Sequence, residues 1–228
     1  LFVINKTKIE YLDYTLNLEV GCSGVGCAVR EKCWAKWQAK RQKHRCSFCY
    51  SFVPHLHMNR IYELNKLKKP SRIGLNFMGE TFDKELPKCY VPSMLDVLAG
   101  HPQHTFLILT KQPQNIPDDM EFPQNLWLGV SVNRRQEKWR MLELYNKKCK
   151  LKFVSFEPLY EAMGDVDYWL TGFRWVIIGC QMHPRLEPEP SWVNNIVRQA
   201  GLMGIPVFLK NNLGFPKPMQ NFPQEEVS

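Results

Sequence analysis

No window of the sequence approaches 18 continuous apolar residues, so no stretch is expected to cross a membrane as a helix. The opening LFVINKTKIEYLDY has no apolar run of leader length, which predicts a chain without a secretory signal. Low-complexity tracts and internal linkers are also missing. The 228 residues then suit one large α/β domain or two small ones. We expect a single domain over residues 1–228, with 1–14 as an N-terminal extension. Residues 215–228 hold three prolines and few anchors, which predicts an extended, surface-packed or frayed tail. Acid is scarce relative to base: 22 Asp and Glu against 30 Lys and Arg leave a net charge of +8. Much of the excess lies in Lys36, Lys40, Arg41, Lys43 and Arg45, and in Lys66, Lys68, Lys69 and Arg72. Such stripes can meet a phosphate backbone or simply face water, since net charge informs on association and not on fold.

Apolar residues are not scarce. At 44% they can supply a real core without disulfides. A cytoplasmic location is the expectation, where thiols stay reduced and clustered cysteines read as metal ligands. Five of the eight cysteines fall in GCSGVGCAVREKCWAKWQAKRQKHRCSFCY. Cys22, Cys27 and Cys33 form C-x4-C-x5-C, and Cys46 and Cys49 form C-x-x-C. Three chemistries compete for them. Structural zinc needs four ligands, and Cys46, Cys49, His55 and His57 offer C-x-x-C followed by an H-x-H of short spacing. On that spacing the two histidines read as satisfied polar residues. A redox C-x-x-C should open a helix after a strand, whereas this one follows a basic, helical stretch. An iron–sulfur cluster held by three cysteines leaves one iron open to substrate. Cys89 and Cys149 read as ordinary packed or surface thiols. Cys180 ends a strand and stays open.

Seven short apolar runs give the fold. They are Thr15–Val20, Arg72–Phe77, Thr105–Thr110, Leu126–Val132, Lys152–Phe156, Trp175–Gly179 and Pro206–Leu209. Continuous runs of this length suit strands buried on both faces. Helical spacing lies between several of them, at Pro92–Ala99, Gln136–Leu144 and Ser191–Ala200, the last with Ser191 as its cap. Met182–Pro190 reads as a proline-rich loop. Strand–helix alternation predicts an α/β fold, a partial or complete parallel (β/α) barrel with an N-terminal cysteine-rich loop, or else an open doubly wound sheet. The strands end in Gly21-Cys22, Met78-Gly79-Glu80-Thr81, Thr110-Lys111, Ser131-Val132-Asn133, Glu157-Pro158, Gly179-Cys180-Gln181 and Lys210-Asn211-Asn212. In such folds the carboxyl ends of the strands carry the active site.

These segments resemble the radical S-adenosylmethionine (SAM) superfamily, and within it a largely uncharacterised family of phage and microbial radical-SAM-like proteins. The resemblance runs through Gly21-Cys22, Cys33-Trp34-Ala35 with its basic helix, Lys69-Pro70 and Met78-Gly79-Glu80. It continues through HTFLILTK (104–111), NLWLGVSV (125–132), FVSFEPL (153–159), WVIIG (175–179) and GIPVFLK (204–210). It spans residues 15–213. The superfamily's usual C-x3-C-x2-C is replaced here by C-x4-C-x5-C, and Cys46-x-x-Cys49-Tyr50 also resembles the standard ending. Cys22, Cys27 and Cys33 are the preferred ligand set, because a basic helix follows Cys33. Cys46 and Cys49 would then hold a second metal, zinc or iron–sulfur, or be structural.

The resemblance implies a [4Fe-4S] cluster and SAM as cofactors, with a reductant such as flavodoxin or ferredoxin as a partner. The reduced cluster would cleave SAM to a 5′-deoxyadenosyl radical that abstracts hydrogen from substrate. Glu80, Lys111 and Glu157 are the implied catalytic residues. Trp34, Gly79, Glu80, Ser131 and Lys210 are the implied cofactor contacts. The basic charge leaves a nucleic acid or nucleotide open as substrate. The alternatives from other classes are a zinc-containing nucleic-acid-binding protein without radical chemistry, and a cluster protein that only transfers electrons.

Overall fold

The computed structural model describes residues 4–224. Residues 1–3 of the expected N-terminal extension and 225–228 of the expected tail lie outside the described residues. The strands are β1 (Asn5–Lys6), β2 (Tyr14–Leu16), β3 (Glu19–Val20), β4 (His55–Leu56), β5 (Arg72–Leu75), β6 (Thr105–Thr110), β7 (Leu126–Ser131), β8 (Leu151–Phe156), β9 (Trp175–Ile178), β10 (Gln181–Met182), β11 (Arg185–Leu186) and β12 (Val207–Leu209). The α-helices are α1 (Trp34–Ala39), α2 (Ser47–Ser51), α3 (Tyr90–Ala99), α4 (Trp139–Tyr145), α5 (Asp167–Leu170) and α6 (Pro190–Leu202). An eight-stranded, mostly parallel sheet runs in the order β1-β2-β5-β6-β7-β8-β9-β12. The main strands add in chain order, which is the order of a partial (β/α) barrel.

The chain divides into two compact units. One runs up to Leu128 and includes Lys148–Lys150; the other is Gly129–Lys147 with the chain from Leu151 onward. In the first, β2 pairs with β5 in parallel, Leu16 opposite Leu75, and β5 pairs with β6, Ile73 opposite Phe106. Leu16, Ile73, Leu75, Phe106 and Ile108 are buried with Met94, Leu95 and Leu98 of α3. That spacing on α3 puts one apolar stripe on the sheet. In the second unit, β8 pairs with β9 and β9 with β12, all parallel, with Phe156 opposite Ile178 and Ile178 opposite Leu209. The strand interiors are apolar on both faces because α6 covers one side with Val193, Ile196 and Ala200.

Local differences from the sequence reading have local causes. The first run is not one strand but two: β2 stays in the main sheet, while β3 leaves it to pair antiparallel with β4. Asn17 and Asn76 hold that break, since the Asn17 side chain accepts from the Met78 N–H at 3.0 Å and Asn76 from the Leu18 N–H at 2.9 Å. Helix α6 begins at Pro190 with Glu189 in the cap position, so Ser191 lies inside the first turn. Proline tolerates the first helical position because that N–H has no partner in any case. The 182–190 loop contains part of a hairpin, with Met182 opposite Arg185. The tail is extended and anchored as far as it is described: Leu209 N–H donates to Met219, Asn221 N–H to Val207, and Phe222 packs on Trp175 and Phe208.

Candidate cofactor and metal sites

Within the first unit, the cysteine segment leaves the end of β3 and returns through β4. Gly21 has φ +91°, and a Cβ there would sit 2.4 Å from the Val53 carbonyl oxygen. Only glycine fits that backbone contact. Gly21 also bridges to Gly79 in parallel, its N–H donating to the Met78 carbonyl at 3.0 Å. A Cβ on Gly79 would lie 2.1 Å from a Glu19 oxygen and 2.7 Å from the Gly21 carbonyl. The two glycines therefore let the cysteine loop and the 78–80 turn lie backbone to backbone.

Cys22, Cys27 and Cys33 are each partly buried. Burial pushes the Cys22 thiol up to about 12, and the charges of Cys33, Cys27 and Glu80 add to the rise. Three cysteines on one loop are the donor chemistry of an iron–sulfur cluster once deprotonated. Among the described residues, however, only Cys46, Cys49, His55 and His57 converge to within ligand spacing of one another, and the structure does not bring Cys22, Cys27 and Cys33 together in that way. Cys22 and Cys33 pack on the small core of Val20, Ala35, Ala39, Cys49 and Phe52. Cys33 also caps α1, its sulfur accepting from the Lys36 N–H at 3.4 Å. Trp34, the next residue, is half exposed, and Arg41 stacks over Trp37 at 4.3 Å.

Glu80 is buried at the end of the 78–80 turn. Thr110 donates its hydroxyl to one carboxylate oxygen in a short hydrogen bond. The Lys111 N–H donates to the other at 2.8 Å, and the Phe82 N–H reaches the first at 3.3 Å. Burial raises the Glu80 pKa, while the Thr110 and Lys111 hydrogen bonds and the Lys111 charge oppose the rise. Its carboxylate is thus fixed and aimed. Lys111 contributes its backbone as well as its charge.

Four groups that the sequence reading did not place prominently belong here. Asp83 is buried and accepts from the Ser23 N–H at 2.6 Å, tying the turn to the residue after Cys22. Asn76, at φ +60°, donates to Tyr90 Oη at 2.7 Å and to Thr81 Oγ1 at 3.1 Å. Glu19 is fully buried, and neither carboxylate oxygen has a well-formed hydrogen bond. Burial, then the Glu80 and Asp83 charges, hold its pKa well above the usual carboxylate range, against weaker opposition from Thr81 and the Glu80 backbone. The signal for Glu19 is an acid between Leu18 and Val20, two residues before Gly21.

The fourth group is the pair of histidines. Cys46, Cys49, His55 and His57 put their ligand atoms within 4.8 Å of one another. Cys46 caps α2, its sulfur accepting from the Cys49 N–H at 3.3 Å. Burial opposes the Cys46 thiolate, but the hydrogen bonds with Cys49 and the Phe48 backbone and the Arg60 charge together lower the pKa. Burial and Cys46 push Cys49 up to about 11, and burial with Arg60 brings His57 down to about 4. The short H-x-H spacing is no obstacle here: His55 lies on β4 and His57 directly follows it, its N–H bonded to the Leu18 carbonyl, and in extended backbone residues i and i+2 face the same side.

The second unit carries Ser131, Glu157, Cys180 and Lys210. Glu157 and Lys210 form a close ion pair, and a Cβ on Gly179 would lie 3.1 Å from both side chains. Ser131 is buried, its carbonyl accepting from Arg140 at 2.9 Å. Arg140 in turn pairs with Glu137 at 3.2 Å. Cys180 is buried with its sulfur 3.0 Å from the Asn212 carbonyl oxygen; in the first unit the Cys149 sulfur is 3.5 Å from the Leu126 carbonyl oxygen, and Cys89 is exposed. No described helix is long and apolar enough to cross a membrane.

Fold and cysteine segment together define an α/β protein of partial-barrel type with an N-terminal cysteine-rich loop. The chain belongs to the family described as "Protein of unknown function (DUF5131)", whose model matches residues 6–223. Its fold is similar to that of spore photoproduct lyase. A structure of that enzyme with dinucleoside spore photoproduct aligns with TM-score 0.57 and 11% identity over 87% of this chain. A doubly substituted mutant of the lyase with bound AdoMet and the dinucleoside gives 0.58 at 9% identity over 87% of this chain. A singly substituted, tyrosine-to-phenylalanine mutant gives 0.60 at 9% identity over 90%. The alignment spans 63% of the length of the first two and 78% of the third. No curated protein matches the sequence.

Proposed function

We propose that the protein is a radical SAM enzyme in which Cys22, Cys27 and Cys33 hold a [4Fe-4S] cluster. The observation that carries this reading is the pairing of the three-cysteine loop with a buried, hydrogen-bonded Glu80 across the Gly21–Gly79 contact. Held by Cys22, Cys27 and Cys33, the cluster would supply the electron for reductive cleavage of SAM and so the means of hydrogen abstraction from substrate. The residues of the chain bind and orient. Glu80 offers a fixed carboxylate to the SAM ammonium, a charge-assisted hydrogen bond. Gly79 lets the turn that carries Glu80 lie against the cysteine loop, and Lys111 favours the ionised form of Glu80. Trp34, Ser131, Glu157 and Lys210 are assigned to the cofactor, its ribose or the substrate from the resemblance alone. A flavodoxin or ferredoxin is the proposed electron donor.

The fold likeness to a lyase solved with bound AdoMet and a dinucleoside supports both the cofactor and a nucleotide or nucleic-acid substrate. The net charge of +8 agrees with an anionic substrate. Anaerobic reconstitution with iron and sulfide tests the reading. One brown cluster per chain, with 5′-deoxyadenosine formed from SAM under reductant, is expected. Cys22→Ala, Cys27→Ala and Cys33→Ala should each lose it, and Glu80→Gln should keep the cluster while weakening SAM binding. A wild-type chain that stays colourless sinks the proposal. In that case the zinc-containing nucleic-acid-binding reading gains, and it requires binding that falls steeply with salt.

A further inference from the structure

We propose that Cys46, Cys49, His55 and His57 form a closed zinc site that staples the cysteine loop to β3, separate from the three-cysteine set. The inference stands on geometry and does not rest on the radical SAM reading. Cys49 Sγ lies 3.3 Å from His55 Nε2 and 3.2 Å from His57 Nε2, and Cys46 Sγ lies 3.6 Å from His55 Nε2. The two Nε2 atoms are 2.9 Å apart. Zinc bonds of about 2.0–2.1 Å to nitrogen and about 2.3 Å to sulfur put tetrahedral ligands roughly 3.3–3.8 Å apart. The three sulfur–nitrogen distances lie at or near that spacing, and all four donors lie within 4.8 Å of one another.

The protonation pattern is set from outside the group. His55 Nδ1 lies 2.7 Å from the Val53 carbonyl oxygen. A carbonyl can only accept, so Nδ1 carries the proton and Nε2 presents its lone pair to the sulfurs. Carbonyl-held histidines of this kind are the usual outer support of a metal ligand. Two sulfurs and two imidazoles with no carboxylate select zinc over magnesium, calcium or manganese. Four protein ligands leave no open position, which makes the site structural and not catalytic.

Its place in the chain says what it stabilises. Cys46 and Cys49 belong to the start of α2. His55 pairs with Val20 across the β3–β4 ribbon, close to Cys22, and the His57 N–H donates to the Leu18 carbonyl at 2.7 Å. The metal would therefore close the whole excursion from Cys22 to His55. The Val53 carbonyl that orients His55 is also the one against which Gly21 packs. The zinc site and the entry to the three-cysteine loop thus share one backbone contact.

Elemental analysis of the full chain tests this. Wild type and a Cys22→Ala/Cys27→Ala/Cys33→Ala variant should each retain one equivalent of zinc, whatever their iron content. Cys49→Ser/His57→Ala should retain at least about tenfold less. Because losing the metal can also unfold that variant, wild-type apoprotein is titrated with cobalt as well. A tetrahedral thiolate–cobalt spectrum, displaced by one equivalent of zinc, is expected. Failure to bind zinc in wild type overturns the proposal and shows that the four groups merely hydrogen-bond one another. An octahedral cobalt spectrum, or iron in place of zinc at Cys46 and Cys49 in the triple variant, also overturns it. Loss of iron chemistry with zinc intact supports the zinc site and refutes only the radical SAM reading.

Discussion

Replacing Gly21 with alanine probes the contact on which the cysteine loop turns. Two costs can be separated. At φ +91° a side chain occupies left-handed backbone space, which costs about 1–2 kcal/mol for an L-residue. The new Cβ would also lie 2.4 Å from the Val53 oxygen, 2.5 Å from its carbon and 2.7 Å from the Phe52 oxygen. Those are backbone atoms, so no rotamer change relieves the overlap. Forced backbone shifts of this kind cost about 1–3 kcal/mol more. The total is roughly 2–5 kcal/mol, or a fall in Tm of ~4–20 °C for a chain of this size. The same shift draws the Val53 carbonyl from His55 Nδ1, so zinc affinity should fall as well. Thermal unfolding by circular dichroism, with and without one equivalent of zinc, reads both. Gly204→Ala is the control: φ is +67° there, but nothing lies within 4 Å of the added Cβ. If Gly21→Ala is no less stable than Gly204→Ala, the packing argument fails.

Three further outcomes follow from the same geometry. A carboxyl whose pKa is raised on folding favours the fold while protonated; that contribution is complete below the ordinary value of about 4.3 and is lost as pH rises through the folded value. Glu19 is such a group, so Glu19→Gln should match wild type near pH ~4 and become progressively more stable than it as pH rises; equal stability of the two across the pH range would contradict the assignment. Lys210→Met leaves Glu157 partly buried without its ion-pair partner and should cost about 1–2 kcal/mol in urea unfolding, part of it recovered in Lys210→Met/Glu157→Gln; a cycle with no coupling removes the pair from the account. Gly129→Ala drives a Cβ to 2.4 Å from the Phe153 ring and should cost about 2–3 kcal/mol in the same assay, with Phe153→Leu relieving some of it.

Much of the fold was legible because periodicity reports burial directly. The seven apolar runs all contribute strands to the main sheet, with ends shifted by a residue or two, since each is buried on both faces. The exception is instructive. The run 15–20 looked continuous, but Asn17 and Asn76 side chains accept backbone N–H groups and break the ladder after Leu16. A side chain as far along the chain as Asn76 cannot be read from local pattern. The α6 cap failed for a local reason, because Pro190 takes the first helical position ahead of Ser191.

The sequence by itself determined the parallel α/β architecture, the three-cysteine loop after the first run and the place of Glu80 at a strand end. It did so because strand burial and thiol spacing are properties of adjacent residues. Only the tertiary structure decided that Cys46, Cys49, His55 and His57 meet at one point, because that depends on β3 leaving the sheet to pair with β4. Only it showed that Glu19 is sealed beside Glu80 and Asp83 without a well-formed hydrogen bond, and that Gly21 and Gly79 must lack side chains for the loop and turn to touch. These are contacts between segments far apart in the chain, and their energies arise from close approach, which no residue's own identity encodes.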